Sequence, residues 1–450
     1  DGFLTTHLIE SALLPERELV AEYLGKPEDM IDTPTPAQQM LYGPKRRRVP
    51  AIWDVDVPLV SGVVQNQDAY MQATAAQRPY FFDHIDAITD ACMDEYAGLT
   101  GRRYQRVSTY KAEDADYLIL GMGSMIVQAE AVADYLRETR KIKVGVVNVT
   151  MFRPFPGDLI GHVLLGKKGV AVLWRTDQPL AEDLPLMREI RATLIKCIEN
   201  GVANVGGDVL LPYPDYATYG ASSDMPRLYS GCYGLGSRDL QPEALIGAVE
   251  NMLPEAATNG VQRKFFYLSV DFARDPLNPK DEVHQQEIAD RYPGARSLAV
   301  RGSENPNLLP KGAITVRMHS VGGWGAITTG KNLAMTLFEL LGWDIKANPK
   351  YGSEKKGQPT TYYLSAAPEP IRINCEYVYV DVVLSPDPAV FGHSNPLSGL
   401  KKGGVFIVQS NLGRETWASF PVWAQKFIVD NEIRVFYLDA FQIAREEAGS

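Results

Sequence analysis

The stretch VRMHSVGGWGAITTGK, residues 316–331, passes from an apolar run through a glycine-rich turn into residues with helical spacing. A strand that ends in such a turn and feeds a helix directs free backbone N–H groups and the positive end of the helix dipole into the turn. The glycines let phosphates approach the backbone closely, and Lys331 would add a positive charge. Because the pattern matches neither the dinucleotide nor the Walker pattern, it predicts either a phosphate cradle or a strand-to-helix turn without a ligand.

The composition narrows the class of protein. The chain has 450 residues, which is too long for one ordinary core, so we expect about two to four domains. Its net charge of −10 at pH 7 argues against nucleic acid or an anionic membrane as the main partner. No apolar run of about 18 residues is present, so we expect no membrane span. The cysteines are isolated, which disfavours a metal or iron–sulfur site in this chain and suits a reducing cytoplasm.

The hydrophobic pattern predicts an α/β fold class. Between residues 115 and 250, short apolar runs alternate with amphipathic stretches, which is typical of a parallel sheet with right-handed crossovers. The same pattern returns after residue 313. We therefore expect two parallel-sheet, three-layer α/β domains joined by an irregular insertion, after an N-terminal helical and extended segment. The predicted boundaries are 1–105, 106–252, 253–312 for the insertion and 313–450.

The expected strands and helices of these domains follow from the same pattern. In the first domain we expect strands at 117–120, 143–149 and 169–174 and a helix at 125–140. In the second we expect strands at 314–318, 360–365, 377–383, 404–409 and 433–438, with helices at 327–341, about 416–429 and from about 439. A helix is also expected at 76–100, and one strand is expected at 265–270 within the insertion.

A second glycine-bounded loop, KYGSEKKGQP, occupies residues 350–359. It contains Ser353, Lys355 and Lys356 and leads into a predicted strand. Loops at neighbouring strand ends of one sheet face the same cleft, so this loop and the turn at 322–325 would together supply backbone donors and lysine charge to a phosphate-bearing ligand. Taken alone, the two lysines are more typical of solvated surface charge than of a phosphate site.

The two loops together resemble the gamma domain of the 2-oxoacid:ferredoxin oxidoreductases. Six or more further motifs occur in that family's order, and the resemblance covers nearly the whole chain apart from about 255–312. These motifs are DGFLTTH (1–7), GVVQNQDAY (62–70), LGMGS (120–124), FRPF (152–155), RTDQP (175–179), YGLGSRD (233–239), LKKGG (400–404) and VFYLDA (435–440). By this resemblance, residues 1–105 hold the end of a thiamine-pyrimidine domain and a connecting segment, 106–252 a transketolase-C-terminal-like domain and 313–450 the gamma domain.

The resemblance implies a function. Such enzymes oxidatively decarboxylate a 2-oxoacid, pyruvate being favoured here, on thiamine diphosphate with Mg²⁺. Coenzyme A takes the acyl group, and [4Fe-4S] clusters pass electrons to ferredoxin or flavodoxin. In the family the gamma domain contributes to coenzyme A binding. Phosphates of coenzyme A would accordingly be held here by the following residues: Gly322, Gly323, Trp324, Gly325, Ser353, Lys355 and Lys356. Trp324 differs from the small or polar residue common in the family, and stacking on the adenine is an alternative hypothesis for its role.

The resemblance also implies that parts of the enzyme lie elsewhere. The family's thiamine and cluster domains have no counterpart in this sequence, and we assign no catalytic or metal-binding residue to the chain. We therefore expect a central portion or one subunit of a homodimeric enzyme, whose partners are the domains that carry those sites. Two alternatives stay open: a non-catalytic scaffold that binds a partner through the insertion, and a nucleotide-binding protein that uses residues 121–124 and 322–325.

Overall fold

A computed structural model of the chain describes residues 12–49, 66–207, 210–254, 262–270, 276, 279–350 and 358–448. Contacts between Cα atoms divide the chain into two compact units. The smaller unit comprises residues 12–108 and 149–156, and the larger contains the described residues of 109–148 and 157–450. The motifs at 1–7 and at 62–65, and the residues Ser353, Lys355 and Lys356, lie outside the described residues.

The smaller unit is mainly helical. Its helices are α1 (Arg17–Leu24), α2 (Pro36–Tyr42) and α3 (Gln67–Thr100), and its antiparallel strands are β1 (Met30–Asp32) and β2 (Lys45–Arg47). The Asn66 side chain accepts a hydrogen bond from the Ala69 backbone, which caps α3. This cap explains why α3 begins nine residues before the expected helix at 76–100. β3 (Val107–Tyr110) begins in this unit and ends in the larger one.

The first sheet of the larger unit is parallel. Its strands, in the order β5-β4-β6-β7-β8-β9, are β4 (Tyr117–Gly121), β5 (Val144–Val149), β6 (Gly169–Trp174), β7 (Arg227–Cys232), β8 (Phe265–Leu268) and β9 (Ala299–Val300). Its flanking helices include α4 (Met125–Arg140), α5 (Gly157–Leu164), α6 (Pro185–Gly206) and α7 (Pro242–Glu250). The apolar runs of β4 and β6 are fully buried, as expected for strands covered on both faces.

The segment expected as an irregular insertion is partly regular. It supplies β8 and β9, which extend the first sheet at one edge, and the helices α8 (Pro279–Arg291) and α9 (Pro293–Leu298). Phe266 and Leu268 point into the core of the first sheet. β8 confirms the strand expected at 265–270, although it ends at Leu268. β9 is only two residues long, which is too short for a clear alternating pattern in the sequence.

The second sheet of the larger unit has the order β11-β12-β10-β13-β14-β15. Its strands are β10 (Ile314–Val321), β11 (Asp344–Lys350), β12 (Pro359–Ala367), β13 (Val380–Ser385), β14 (Leu400–Gln409) and β15 (Arg434–Leu438). β12 runs antiparallel to its neighbours β10 and β11, and the other pairs of neighbouring strands in this sheet are parallel. The helices are α10 (Ala326–Leu341), α11 (Thr416–Ser419), α12 (Val422–Asp430) and α13 (Ala440–Ala448).

The α/β fold class predicted from the sequence is confirmed. The chain has two sheets with flanking helices, each in a three-layer α/β arrangement. Two details of the second sheet differ from expectation. β11 was not expected, and its residues are mostly half-buried rather than apolar and buried. The single helix expected at about 416–429 is two helices, because Pro421 cannot donate the backbone hydrogen bond that a continuous helix needs.

No helix in the described ranges is long and apolar enough to cross a membrane.

The second sheet has a topological switch point between β10 and β13. The next two strands in the chain, β11 and β12, lie on one side of β10 in the sheet. The later strands β13, β14 and β15 lie on its other side. Val316 and Met318 pack against Ala326 and Ala334 of α10. The alternate residues of β10 therefore face the opposite side of the sheet. Open α/β sheets bind ligands in the crevice at the carboxyl ends of the strands at such a point.

Candidate functional site

The glycine turn after β10 has the conformation that close approach of a ligand requires. Gly323 and Gly325 adopt positive φ angles of 98° and 81°, which only glycine adopts readily. A Cβ atom added to either glycine would meet nothing within 4 Å. The glycines are thus required by the turn itself, and the space above them is open. The first N–H groups of α10, which begins at Ala326, face this space without intrahelical acceptors.

A backbone hydrogen bond joins the two predicted loops at their base. The Gly322 N–H donates to the Gln358 carbonyl oxygen at 2.9 Å, and Val321 pairs with Pro359 across β10 and β12. Gln358 directly follows the segment that carries Ser353, Lys355 and Lys356. At its other end, Lys350 forms a 2.6 Å ion pair with Glu376. The described residues on both sides of that segment therefore lie at fixed positions in the second sheet.

Trp324 at the tip of the turn forms an aromatic contact with α13. Its side chain packs edge to face on Phe441, with ring centroids 6.2 Å apart and an angle of 76° between the rings. Both residues stay about half exposed, at 46% and 55%. Part of the Trp324 residue is therefore accessible to a ligand, and adenine stacking stays a prediction. Lys331, on α10, is exposed.

Phe441 also lines a cleft of about 590 Å³ at the carboxyl ends of β13, β14 and β15. The cleft has the volume of a small-molecule site. Its polar lining residues are Gln409, Ser410, Asn411, Thr416, Ser419, Asp439, Gln442 and Arg445. Sequence reasoning missed this cleft. The available signal was the polar residues that directly follow two apolar strands, Ser410 after β14 and Asp439 after β15.

The polar residues at the back of the cleft are held by hydrogen bonds. Asp439 accepts from the Gln442 backbone at 3.0 Å and so caps α13. The Gln409 side chain accepts from the Ala440 backbone at 2.7 Å, and Thr416 donates to Ser410 at 2.7 Å. These contacts make the cleft wall rigid. A preformed wall lowers the entropy lost when a ligand is ordered on it.

A histidine–aspartate pair follows β13 on the other side of the switch point. The imidazole Nε2 of His393 lies 2.6 Å from Asp387 Oδ2, and the Ala389 N–H donates to Asp387 Oδ1 at 2.8 Å. The Asp387 side chain is 5% exposed, whereas that of His393 is 23% exposed. The pair is therefore anchored at the carboxylate and open at the ring. Neither residue was singled out from the sequence.

The face of β10 opposite α10 carries buried cationic and titratable groups. Arg317 is 5% exposed and donates to the carbonyl oxygens of Pro396, at 3.0 Å, and Ser398. Burial, and then the charges of Arg317 and His393, lower the pKa of His319 well below its ordinary value. His319 is therefore neutral, and its Nε2 has no hydrogen-bond partner among the described residues.

The turn at 121–124 in the first sheet offers far less room. Gly123 has a φ of 79°, and the adjoining cavity, lined by Ser124, Arg175 and Asp239 among others, measures about 20 Å³. Such a cavity holds one water molecule and excludes a nucleotide. Burial, and then the nearby Glu376 carboxylate, raise the pKa of Asp239 to about 7. This arrangement counts against the alternative that nucleotides bind at residues 121–124.

The cysteines do not come together. Cys197, Cys232 and Cys375 are buried and Cys92 is exposed, and none forms a disulfide. Among the described residues, no group of three or more His, Cys, Asp or Glu side chains is arranged to hold a metal ion.

Two family models match the chain. Residues 315–450 match the model described as pyruvate ferredoxin/flavodoxin oxidoreductase, and residues 115–213 match pyruvate:ferredoxin oxidoreductase core domain II. The first match contains the second sheet, the glycine turn and the cleft. The second begins just before β4 and contains the turn at 121–124.

Characterised relatives match over most of the chain. A pyruvate:ferredoxin oxidoreductase of Moorella thermoacetica is 25% identical over 99% of this chain and 32% of its own length. A pyruvate-flavodoxin oxidoreductase of a Nostoc species is 25% identical over 87% of this chain and 29% of its own length. A solved pyruvate oxidoreductase subunit from Thermotoga maritima is 22% identical over 30% of this chain and 67% of that chain, with a TM-score of 0.24. The chain thus spans about a third of the length of these two relatives.

Proposed function

The chain belongs to the 2-oxoacid:ferredoxin oxidoreductase family and corresponds to part of such an enzyme, and from this premise we propose that it supplies the coenzyme A site. The complete enzyme would oxidatively decarboxylate a 2-oxoacid, with pyruvate favoured. Thiamine diphosphate and [4Fe-4S] clusters would be held by other domains or subunits. The electrons would pass to ferredoxin or flavodoxin.

The glycine turn at the switch point carries this proposal. Gly323 and Gly325 leave open space in front of the α10 N-terminus, which suits a phosphate group. Gly322 is bonded to Gln358, directly after the segment that holds Ser353, Lys355 and Lys356. Together with lysine charge supplied by that segment, the backbone donors of the turn would suit a pyrophosphate and a phosphate monoester.

The cleft beside the turn supports coenzyme A over a smaller phosphate ester. Trp324 and Phe441 connect the turn with a cleft of about 590 Å³. Coenzyme A has a nucleotide and a long pantetheine arm, and its thiol accepts the acyl group when it is bound. The turn would hold the phosphates, Trp324 would contact the adenine, and the cleft would receive a further part of the ligand.

The chain's cysteines support the assignment of the redox centres to other parts of the enzyme. An iron–sulfur cluster needs a set of thiolates that converge on one point. Three of the four cysteines are buried at separate places and are not arranged as ligands. The remaining domains or subunits are thus the expected partners, in a homodimeric and cytoplasmic enzyme.

The proposal is tested first by ligand binding. Isothermal titration calorimetry would compare coenzyme A with NAD and ATP on this chain. We expect coenzyme A to bind most tightly, and a clear preference for NAD or ATP would exclude the proposed site.

The second test joins the chain to its missing parts and measures viologen reduction. Reduction that needs neither a 2-oxoacid nor coenzyme A would contradict the proposed activity.

A further inference from the structure

The loops that follow β10 and β13 leave the second sheet on opposite faces. α10 packs on the face that carries Val316 and Met318. The segment after β13 covers the other face, because Arg317 donates to Pro396 and Ser398 of that segment. A crevice between two such loops is the usual ligand position at a switch point. A ligand there would contact the glycine turn on one side and the segment after β13 on the other.

Register places the histidine–aspartate pair at the height of the turn. Ser385, the last residue of β13, donates from its hydroxyl to the His319 carbonyl oxygen at 2.8 Å. Asp387 lies two residues after Ser385, and Val321 lies two residues after His319. The Asp387 carboxylate thus lies at the level where β10 gives way to Gly322. The described titratable groups that face the His393 ring are Asp387 from its own loop and His319 from β10.

The hydrogen bonds leave one edge of the imidazole available. Asp387 accepts only, so His393 Nε2 carries the hydrogen in that bond. The other ring nitrogen, Nδ1, lies 3.3 Å from the Ser394 hydroxyl, a long contact in which a stronger partner can replace the hydroxyl. Both oxygens of Asp387 are occupied, by Ala389 and by the ring. The ring orientation is therefore set before any ligand arrives.

This face of the sheet carries a buried cation. Arg317 is a buried cation whose guanidinium donates to carbonyl oxygens. An imidazole that donates from both ring nitrogens is a cation, and Asp387 is the one carboxylate paired with the His393 ring among the described residues. A phosphate group there would accept a charge-assisted hydrogen bond from the ring.

We propose that His393, oriented by Asp387, is a binding residue that donates from Nδ1 to a phosphate group of the ligand held by the turn at Gly322–Gly325. This inference rests on the proposed coenzyme A site. It assigns a contact across the crevice from the turn, and it makes Asp387 a positioning residue that acts through the ring.

The test measures the binding of coenzyme A to the chain by calorimetry. His393→Gln should weaken binding about tenfold. The matched control His162→Gln replaces an exposed histidine of α5 and should leave binding unchanged. If Asp387 acts through the ring, adding Asp387→Asn to His393→Gln should weaken binding no further. A clear further loss of affinity for coenzyme A in the double variant would contradict the positioning role of Asp387.

Two outcomes separate this inference from the proposed function. No binding of coenzyme A by the unmodified chain would overturn the proposed function. Normal binding by the chain together with unchanged binding by His393→Gln would overturn the inference alone. Asp387 is buried, so His393→Gln leaves a carboxylate without its partner; if that variant fails to fold, the double variant replaces both groups with neutral amides.

A measurement on the unmodified chain avoids folding effects entirely. Diethyl pyrocarbonate modifies accessible imidazoles, and mass spectrometry identifies the modified residue. Coenzyme A should slow the modification of His393 several-fold and leave that of His162 unchanged. Absence of protection at His393, or absence of any reaction there without ligand, would contradict a ligand-facing ring.

Discussion

The indole of Trp324 and the phenyl ring of Phe441 pack edge to face, with their centroids 6.2 Å apart, although 117 residues separate them in the sequence. The contact joins the tip of the glycine turn to the first turn of α13. Both rings are about half exposed, so the pair borders the crevice instead of belonging to the core. A ligand that lies on the turn would meet this pair next.

Replacement of either ring should weaken ligand binding. We expect Trp324→Ala to reduce the affinity for coenzyme A by about five- to 150-fold, because stacking on a base contributes about 1–3 kcal/mol. Phe441→Ala should have a smaller effect, since it supports the indole. Calorimetry measures both, with Phe82→Ala, an exposed ring on α3, as the control. Unchanged affinity in Trp324→Ala, with a lower unfolding midpoint, would leave the pair a purely structural role.

The two adjacent lysines after β11 should contribute charge to the site. Lys355→Ala combined with Lys356→Ala is expected to weaken coenzyme A binding by roughly 1–3 kcal/mol, because both would make charge-assisted contacts with phosphate. The control removes the same charge from the exposed Lys402 and Lys426. The KM for coenzyme A in the assembled enzyme is the second measurement. An equal loss in both double variants would indicate general electrostatic attraction.

Burial of Asp239 should make stability depend on pH. Its pKa is about 7 in the folded chain, against 3.8 for an ordinary aspartate. Between about pH 4 and pH 7 the folded state therefore holds a proton that the unfolded state has released, so stability falls as the pH rises through this range. Above pH 7 both states are ionised and this contribution is constant, at a cost of up to a few kcal/mol.

Asp239→Asn tests this dependence. The variant should gain stability relative to the unmodified chain as the pH rises from 4 to 7, as measured by urea unfolding midpoints. Asp430→Asn removes an exposed carboxylate at the end of α12 and should show no such relative gain. An equal difference between Asp239→Asn and the unmodified chain at pH 4.5 and pH 7.5 would contradict the assignment.

Two glycines of α6 should respond oppositely to alanine. A Cβ atom at Gly201 would lie 1.7 Å from the Tyr219 carbonyl oxygen, whereas one at Gly206 meets nothing within 4 Å. Gly201→Ala must displace backbone and should cost about 1–3 kcal/mol or more. Gly206→Ala should be neutral or stabilise by up to about 1 kcal/mol, because alanine restricts the unfolded chain. Thermal unfolding compares them, and equal midpoints would refute the close approach.

The sequence by itself determined the α/β class and the main strands. β4, β5 and β6 are apolar runs that lie between amphipathic helices, and such runs are stable only where both sheet faces are covered. The glycine turn after Val321 was also predictable, because a local backbone requirement for positive φ selects glycine. These features depend on residues near one another in the chain, which is why a pattern in the sequence reports them.

Only the tertiary structure decided which distant residues meet. The antiparallel position of β12, the cleft beside Phe441 and the pairing of His393 with Asp387 depend on strand order and on how loops leave the sheet. β11 was missed because its half-buried residues have no apolar run, and its place in the sheet comes from pairing with β12. Long-range pairing and burial set these contacts. No local periodicity encodes them, so the crevice became visible only when the second sheet was assembled.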